Sequence, residues 1–100
     1  MPPPDAKYIK KLKDAIRAAH GCGSRHFTTI PVKEMFRGAV AWEGDVEVFD
    51  LVKHPKALTC YAWNYDDNGI TRTAAVLGIT PVDSAETAVK VAIKVKAQQD

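Results

Sequence analysis

The feature that most constrains the fold is a central stretch, from His26 to about Ile79, in which β-branched and aromatic residues alternate with polar ones. Successive side chains of a β-strand point to opposite faces of the sheet, so a period of two predicts strands with one buried face. Turn-forming residues interrupt the stretch three times, and the last interruption contains Asn68-Gly69, a strong signal for a β-hairpin. We therefore predict four strands, at about residues 25–35, 39–51, 58–65 and 70–79.

Amphipathic helices are predicted before and after these strands. Asp5 is a suitable N-cap for a helix that runs to about His20, where Gly21 ends it. Asp83 and Glu86 have the spacing of a capping box and mark the start of the second helix. We expect residues 1–100 to form one globular domain, with a flexible proline-rich leader at residues 1–4.

The predicted fold is α+β, in the order α-β-β-β-β-α. Short connections favour a four-stranded antiparallel meander, with both helices packed on one face. Pro31 lacks the N–H that an inner strand needs, so the first strand is expected at an edge. A three-residue loop at 36–38 would place Ile30 and Val46 on the same face. The opposite face then carries an acidic series: Glu43, Asp45 and Glu47.

Tyr61, Trp63 and Tyr65 form an aromatic row on one face of the third strand, and the hairpin register places Arg72 beside them. Two interpretations remain open. The row is either the core face beneath the helices, or an exposed surface that stacks bases or binds a cation. The opposite face of this strand is also apolar: Leu58, Cys60 and Ala62.

Charge is distributed unevenly, although the net charge of +2 is small. Residues 1–20 contain five basic and two acidic residues, whereas residues 39–83 contain three basic and seven acidic ones. The basic helix is either a solvated surface or part of a nucleic-acid-binding domain, in which it contacts phosphates while the aromatic row stacks bases. This second interpretation uses Lys7, Lys10, Lys11, Arg17, Tyr61, Trp63 and Arg72.

The order of helices and strands resembles that of double-stranded RNA-binding domains. Lys7, Lys10 and Lys11 lie on the first helix, where this resemblance implies phosphate contacts. The chain departs from the family's pattern at its second helix, which opens with Asp83 and Glu86 where the family has a lysine cluster. An acidic start repels phosphate, so the resemblance is one of topology and does not assign the family.

No set of residues has the spacing of a catalytic or metal site. His20, His26 and His54 are scattered over a helix end, a strand start and a loop, and Cys22 and Cys60 form no Cys-x-x-Cys pair. We therefore predict no catalytic residue, no metal and no cofactor, and an enzyme is the less favoured interpretation. No apolar segment approaches the roughly 20 residues of a membrane span, so we expect a cytoplasmic protein without a membrane partner.

The fourth strand is expected at the second edge of the sheet, and residues 73–79 carry neither charge nor proline. Such an edge is normally covered by another element or used for pairing. The sequence therefore favours a small non-catalytic binding or assembly domain, which forms a homodimer or binds a protein partner through its sheet. The alternative is that the last helix covers the edge. The residues assigned to self-association are Thr73, Ala75, Val76 and Leu77.

Overall fold

The computed structural model describes residues 5–99, so the predicted leader lies outside the described residues. Its elements are α1 (Ala6–His20), β1 (Gly23–Phe36), β2 (Ala39–Val52), β3 (Thr59–Asp67), β4 (Ile70–Leu77) and α2 (Ala85–Gln99). The α+β class and the antiparallel meander are confirmed, because the strands pair in the order β1-β2-β3-β4. β1, which carries Pro31, and β4 are the two edges of this sheet.

Local sequence determines both ends of α1. The side chain of Asp5 accepts a hydrogen bond from the N–H of Lys7 at 3.0 Å, and Gly21 has a φ of 70° at the other end. Glycine adopts this left-handed conformation at little cost because it has no Cβ. Both predicted ends of the first helix are confirmed.

The two helices pack on opposite faces of the sheet, so the prediction that both lie on one face is wrong. Leu12 and Ile16 of α1 are buried in a cluster with Cys60, whereas Val89 of α2 is buried in a cluster with Tyr61. Cys60 and Tyr61 are consecutive residues of β3, and consecutive side chains of a strand point to opposite faces. Both faces of β3 are apolar because each is covered by a helix.

This arrangement gives the domain two hydrophobic cores. The core under α1 contains Leu12, Ile16, Phe49, Cys60 and Ala62. The larger core under α2 contains Val32, Val46, Val48, Tyr61, Trp63, Val82, Ala85, Ala88 and Val89. Of the apolar residues predicted on the face opposite the aromatic row, Cys60 and Ala62 are thus covered within the chain, whereas Leu58 is 82% exposed.

The β1–β2 hairpin turns through two residues and not through the predicted three. Arg37 and Gly38 form the turn and both have positive φ. A β-bulge at Ala41 then shifts the register by one residue. The bulge supplies the extra residue that the longer loop was predicted to supply. Ile30 and Val46 therefore lie on the same face, as predicted, and they pair directly.

The N-terminus of α2 is capped one residue later than predicted. The hydroxyl of Ser84 accepts a hydrogen bond from the N–H of Thr87 at 3.2 Å, and the helix begins at Ala85. The predicted capping box of Asp83 and Glu86 is therefore wrong. Asp83 instead accepts a hydrogen bond from the hydroxyl of Thr87 at 3.1 Å.

Candidate functional site

The aromatic row of β3 runs beneath α2 and reaches the surface at one end. Tyr61 is 8% exposed and Trp63 is 2% exposed, whereas Tyr65 is half-buried. All three point to the α2 side because alternate residues of a strand share a face. Of the two interpretations of the row, the core interpretation is correct for Tyr61 and Trp63.

A cleft opens where α2 leaves the sheet. The helix runs toward β1, where Nζ of Lys90 lies 3.8 Å from Oε1 of the buried Glu34. The β3–β4 hairpin on the other side of α2 is consequently less covered, and a cleft of about 580 Å³ lies between helix and sheet. Its sheet wall consists of Ala41, Trp42, Trp63, Tyr65, Asp66, Asp67, Arg72, Ala74 and Val76. Its helix wall consists of Val89, Val91, Ala92, Ile93 and Val95.

Both large aromatic and small side chains line this cleft. The rings of Trp42 and Trp63 lie 5.9 Å apart, centroid to centroid, with their planes tilted by 51°. Ala41, Ala74 and Ala92 face the same space and are too short to fill it. The cleft therefore has the half-buried indole ring of Trp42 on its wall, and its volume lies within the range of small-molecule sites.

The polar groups of the cleft lie at its mouth. Nε of Arg72 donates a hydrogen bond to Oδ2 of Asp67 at 2.7 Å, and the side chains are 52% and 26% exposed. Arg72 pairs with Tyr65 in the β3–β4 register, so the predicted position of this arginine beside the aromatic row is confirmed. Asn68 and Gly69 form the predicted hairpin turn, both with positive φ.

The basic residues of α1 lie on the opposite side of the sheet from this cleft. Lys7, Lys10, Lys11 and Arg17 are exposed on the helix that covers Cys60 and Ala62. The structure therefore does not bring them together with the aromatic row. The proposed combination of phosphate-binding lysines and base-stacking rings is divided between two faces.

A buried carboxylate on the α1 face was missed by sequence analysis. Glu47 is 1% exposed, and its Oε1 lies 2.8 Å from Nε2 of His26 and also accepts a hydrogen bond from the hydroxyl of Thr29. A β-bulge at Phe27 turns His26 to this face, where its ring also meets Phe49 edge-on at 5.5 Å. No pattern in the sequence marks this bulge, which explains why the pair was not predicted.

Tyr8 of α1 lies near the same carboxylate. Burial raises the pKa of the Tyr8 hydroxyl above its ordinary value, and the negative charges of Glu47 and Asp45 add to this rise. A hydrogen bond with the backbone of Asn64 opposes it. The phenol is therefore held protonated, which suits a structural contact and not a general base.

The remaining histidines, His20 and His54, and the buried Cys60 have structural and not catalytic roles. Nε2 of His20 donates to the carbonyl of Ala75 at 2.9 Å, and Nδ1 of His54 accepts from the N–H groups of Lys56 and Ala57, both at 3.0 Å. Burial, together with the nearby Cys22, raises the pKa of Cys60 to about 12, so its thiol is a poor nucleophile.

The outer edge of β4 is the second candidate site. The N–H of Gly78 bonds to the carbonyl of Thr59, so even-numbered residues of β4 direct their backbone groups toward β3. Odd-numbered residues direct theirs outward, as the bond from His20 to Ala75 confirms. Thr71 and Thr73 are exposed and have outward-directed backbone groups.

The residues predicted from the sequence to mediate self-association differ from one another in backbone direction and in burial. Thr73 and Ala75 belong to the outward-directed set, but the Ala75 carbonyl is already bonded to His20. Val76 packs against the core under α2, and Leu77 is half-buried. The accessible part of the edge therefore lies nearer the β3–β4 turn than the sequence suggested.

Within residues 5–99, no three histidine, cysteine, aspartate or glutamate side chains are grouped closely enough to hold a metal ion. No helix in this range is both long and apolar enough to cross a membrane. The chain matches no protein-family model, no curated protein and no solved structure.

Proposed function

We propose that this chain is a non-catalytic assembly domain that forms a homodimer by pairing the β4 edges of two copies. The observation that carries the proposal is the outward direction of the backbone groups of Thr71 and Thr73, on a segment that is exposed. An edge of this kind is a template for a further strand.

The contrast with the other edge supports this choice. β1 contains Pro31, a bulge at Phe27 and the exposed charge of Lys33, which are common protections against pairing. β4, from Ile70 to Leu77, has neither a proline nor a bulge, and Arg72 is its one charged residue. The described part of α2 packs on the sheet face and runs toward β1, so it does not provide the alternative cover for β4.

Charge favours one register for the pairing. If Thr73 of one copy faces Thr73 of the second copy, Arg72 lies opposite Ala74 of that copy. A register centred on Arg72 would oppose two like charges, which is unfavourable. Symmetric pairing about Thr73 also brings Thr71 to the Ala75 carbonyl, which can accept a second hydrogen bond beside that of His20.

Nucleic-acid binding has less support. Lys7, Lys10, Lys11 and Arg17 are exposed, but Tyr61 and Trp63 are buried on the opposite face and are not accessible to bases. Basic residues on one face of a helix are also typical of a face that is only exposed to solvent.

Light scattering coupled to size exclusion, across micromolar concentrations, tests the proposal. We expect wild type to have the mass of two chains and Thr73→Pro to have the mass of one, because proline removes the outward N–H at an edge position that tolerates it. Thr73→Ala is the matched control, since it also loses the 2.8 Å bond to Asn64 but keeps the N–H. A monomeric wild type, or a dimeric Thr73→Pro variant, would reject the proposal.

A further inference from the structure

We propose that the cleft between α2 and the β3–β4 hairpin binds an uncharged small molecule that contains an aromatic or other flat apolar ring. This site is independent of the β4 edge, because it lies on the sheet face and not at the outward-directed backbone. Its volume of about 580 Å³ falls within the range of small-molecule sites.

The shape of the cleft indicates a flat ligand. Trp42 and Tyr65, both half-buried, present their rings to the cleft, whereas Trp63 is 2% exposed and belongs to the core against which they pack, with its ring tilted by 51° to that of Trp42. Offset or edge-to-face packing on such rings adds to the hydrophobic gain of burying an aromatic ligand. On the helix wall, Ala92 leaves the space into which a ring would insert.

The charge of the cleft indicates that the ligand is neutral. Among the lining residues whose side chains the structure describes, which extend to Val95 of α2, the ionic ones are Asp66, Asp67 and Arg72. These lie near the mouth, and Arg72 is bonded to Asp67 at 2.7 Å. An anion would meet an excess of carboxylates, and a charge farther inside would have no ionic partner among these described side chains. A polar but uncharged group of the ligand would instead reach the ion pair at the mouth.

Two fluorescent probes with the same ring skeleton test this inference. N-phenylnaphthylamine is uncharged, and anilinonaphthalene sulfonate differs from it by one sulfonate. We expect the uncharged probe to bind at one site per chain, with a dissociation constant at least about tenfold lower than that of the sulfonated probe, since burying the uncompensated charge costs more than one factor of ten.

Substitutions that fill the cleft locate the binding. Ala74→Leu and Ala92→Leu add volume from the sheet wall and the helix wall, and each is expected to weaken binding of the uncharged probe by about tenfold or more, as one added side chain occupies the site. Ala18→Leu, on the exposed side of α1, is the matched control and should bind like wild type. Circular dichroism identifies any variant that fails to fold. If one of the two cleft variants does not fold, the binding measured for the other one tests the inference.

Three results would overturn the inference. The first is no binding of the uncharged probe to folded wild type. The second is equal or tighter binding of the sulfonated probe. The third is unchanged binding in a folded Ala74→Leu or Ala92→Leu variant.

Discussion

Replacing His26 with alanine tests the energetic role of the buried carboxylate. Glu47 is 1% exposed, and His26 bonds to its Oε1 at 2.8 Å. Hydrogen bonds to charged groups contribute about 1.5–3 kcal/mol, and the edge-on contact of the His26 ring with Phe49 adds about 0.5–1.5 kcal/mol. Since His26 is 26% exposed and water can partly replace it, we expect His26→Ala to lower the free energy of unfolding by about 2–3 kcal/mol.

Urea denaturation followed by circular dichroism measures this change as a lower midpoint at constant slope. A second measurement in a Glu47→Gln background isolates the pair, because hydrogen bonds to a neutral amide are weaker than those to a carboxylate. There, His26→Ala should cost about 1 kcal/mol less than in wild type, a coupling typical of residues in direct contact. A cost below about 0.5 kcal/mol in wild type, or an equal cost in both backgrounds, would refute the reasoning.

Two further predictions concern the cap of α2 and the buried thiol. Ser84→Ala should lower the free energy of unfolding by about 1 kcal/mol, because the Ser84 hydroxyl accepts a hydrogen bond from a backbone N–H at the start of α2. Asp83→Ala should lower it by less. A larger effect of Asp83→Ala in thermal melts would contradict the assignment of Ser84 as the N-cap. At pH 8 a thiol reagent should label Cys22 and should not label Cys60 until the chain unfolds. The reason is that burial raises the pKa of Cys60 to about 12. Rapid labelling of both cysteines in the folded protein would contradict this prediction.

Features with a local physical cause could be predicted from the sequence. Gly21 ended α1 because a left-handed residue was needed there, and Asn68-Gly69 formed the two-residue turn that its conformational preferences favour. The position of Arg72 beside Tyr65 followed from that turn, because strand alternation propagates its register.

The placement of the helices could not be predicted in the same way. The sequence showed that both faces of β3 are apolar, at Cys60 and Ala62 on one side and at Tyr61 and Trp63 on the other. With both helices assigned to one face, the prediction left the apolar residues of the other face uncovered. A helix on each face accounts for the same pattern within one chain, and local patterns do not distinguish these solutions.

The sites depended on details that leave little trace in the sequence. A bulge at Phe27 brings His26 to Glu47, and a bulge at Ala41 replaces a longer turn, yet neither residue type marks a bulge. The cleft depends on the direction of α2 across the sheet, which tertiary packing determines. The position of Trp42 opposite Ala92 across the cleft follows from that direction.

Cross-linking through Thr73 tests the central claim, symmetric pairing of β4, most directly. In a Cys22→Ser background, Thr73→Cys should form an intermolecular disulfide under mild oxidation, because directly paired residues have Cα atoms about 5.5 Å apart. Thr71→Cys is the control on the same exposed strand, where the proposed register separates the two copies of the residue by about 13 Å. A cross-linked dimer for Thr73→Cys alone is the predicted result, whereas no dimer, or equal cross-linking of both variants, would contradict the account.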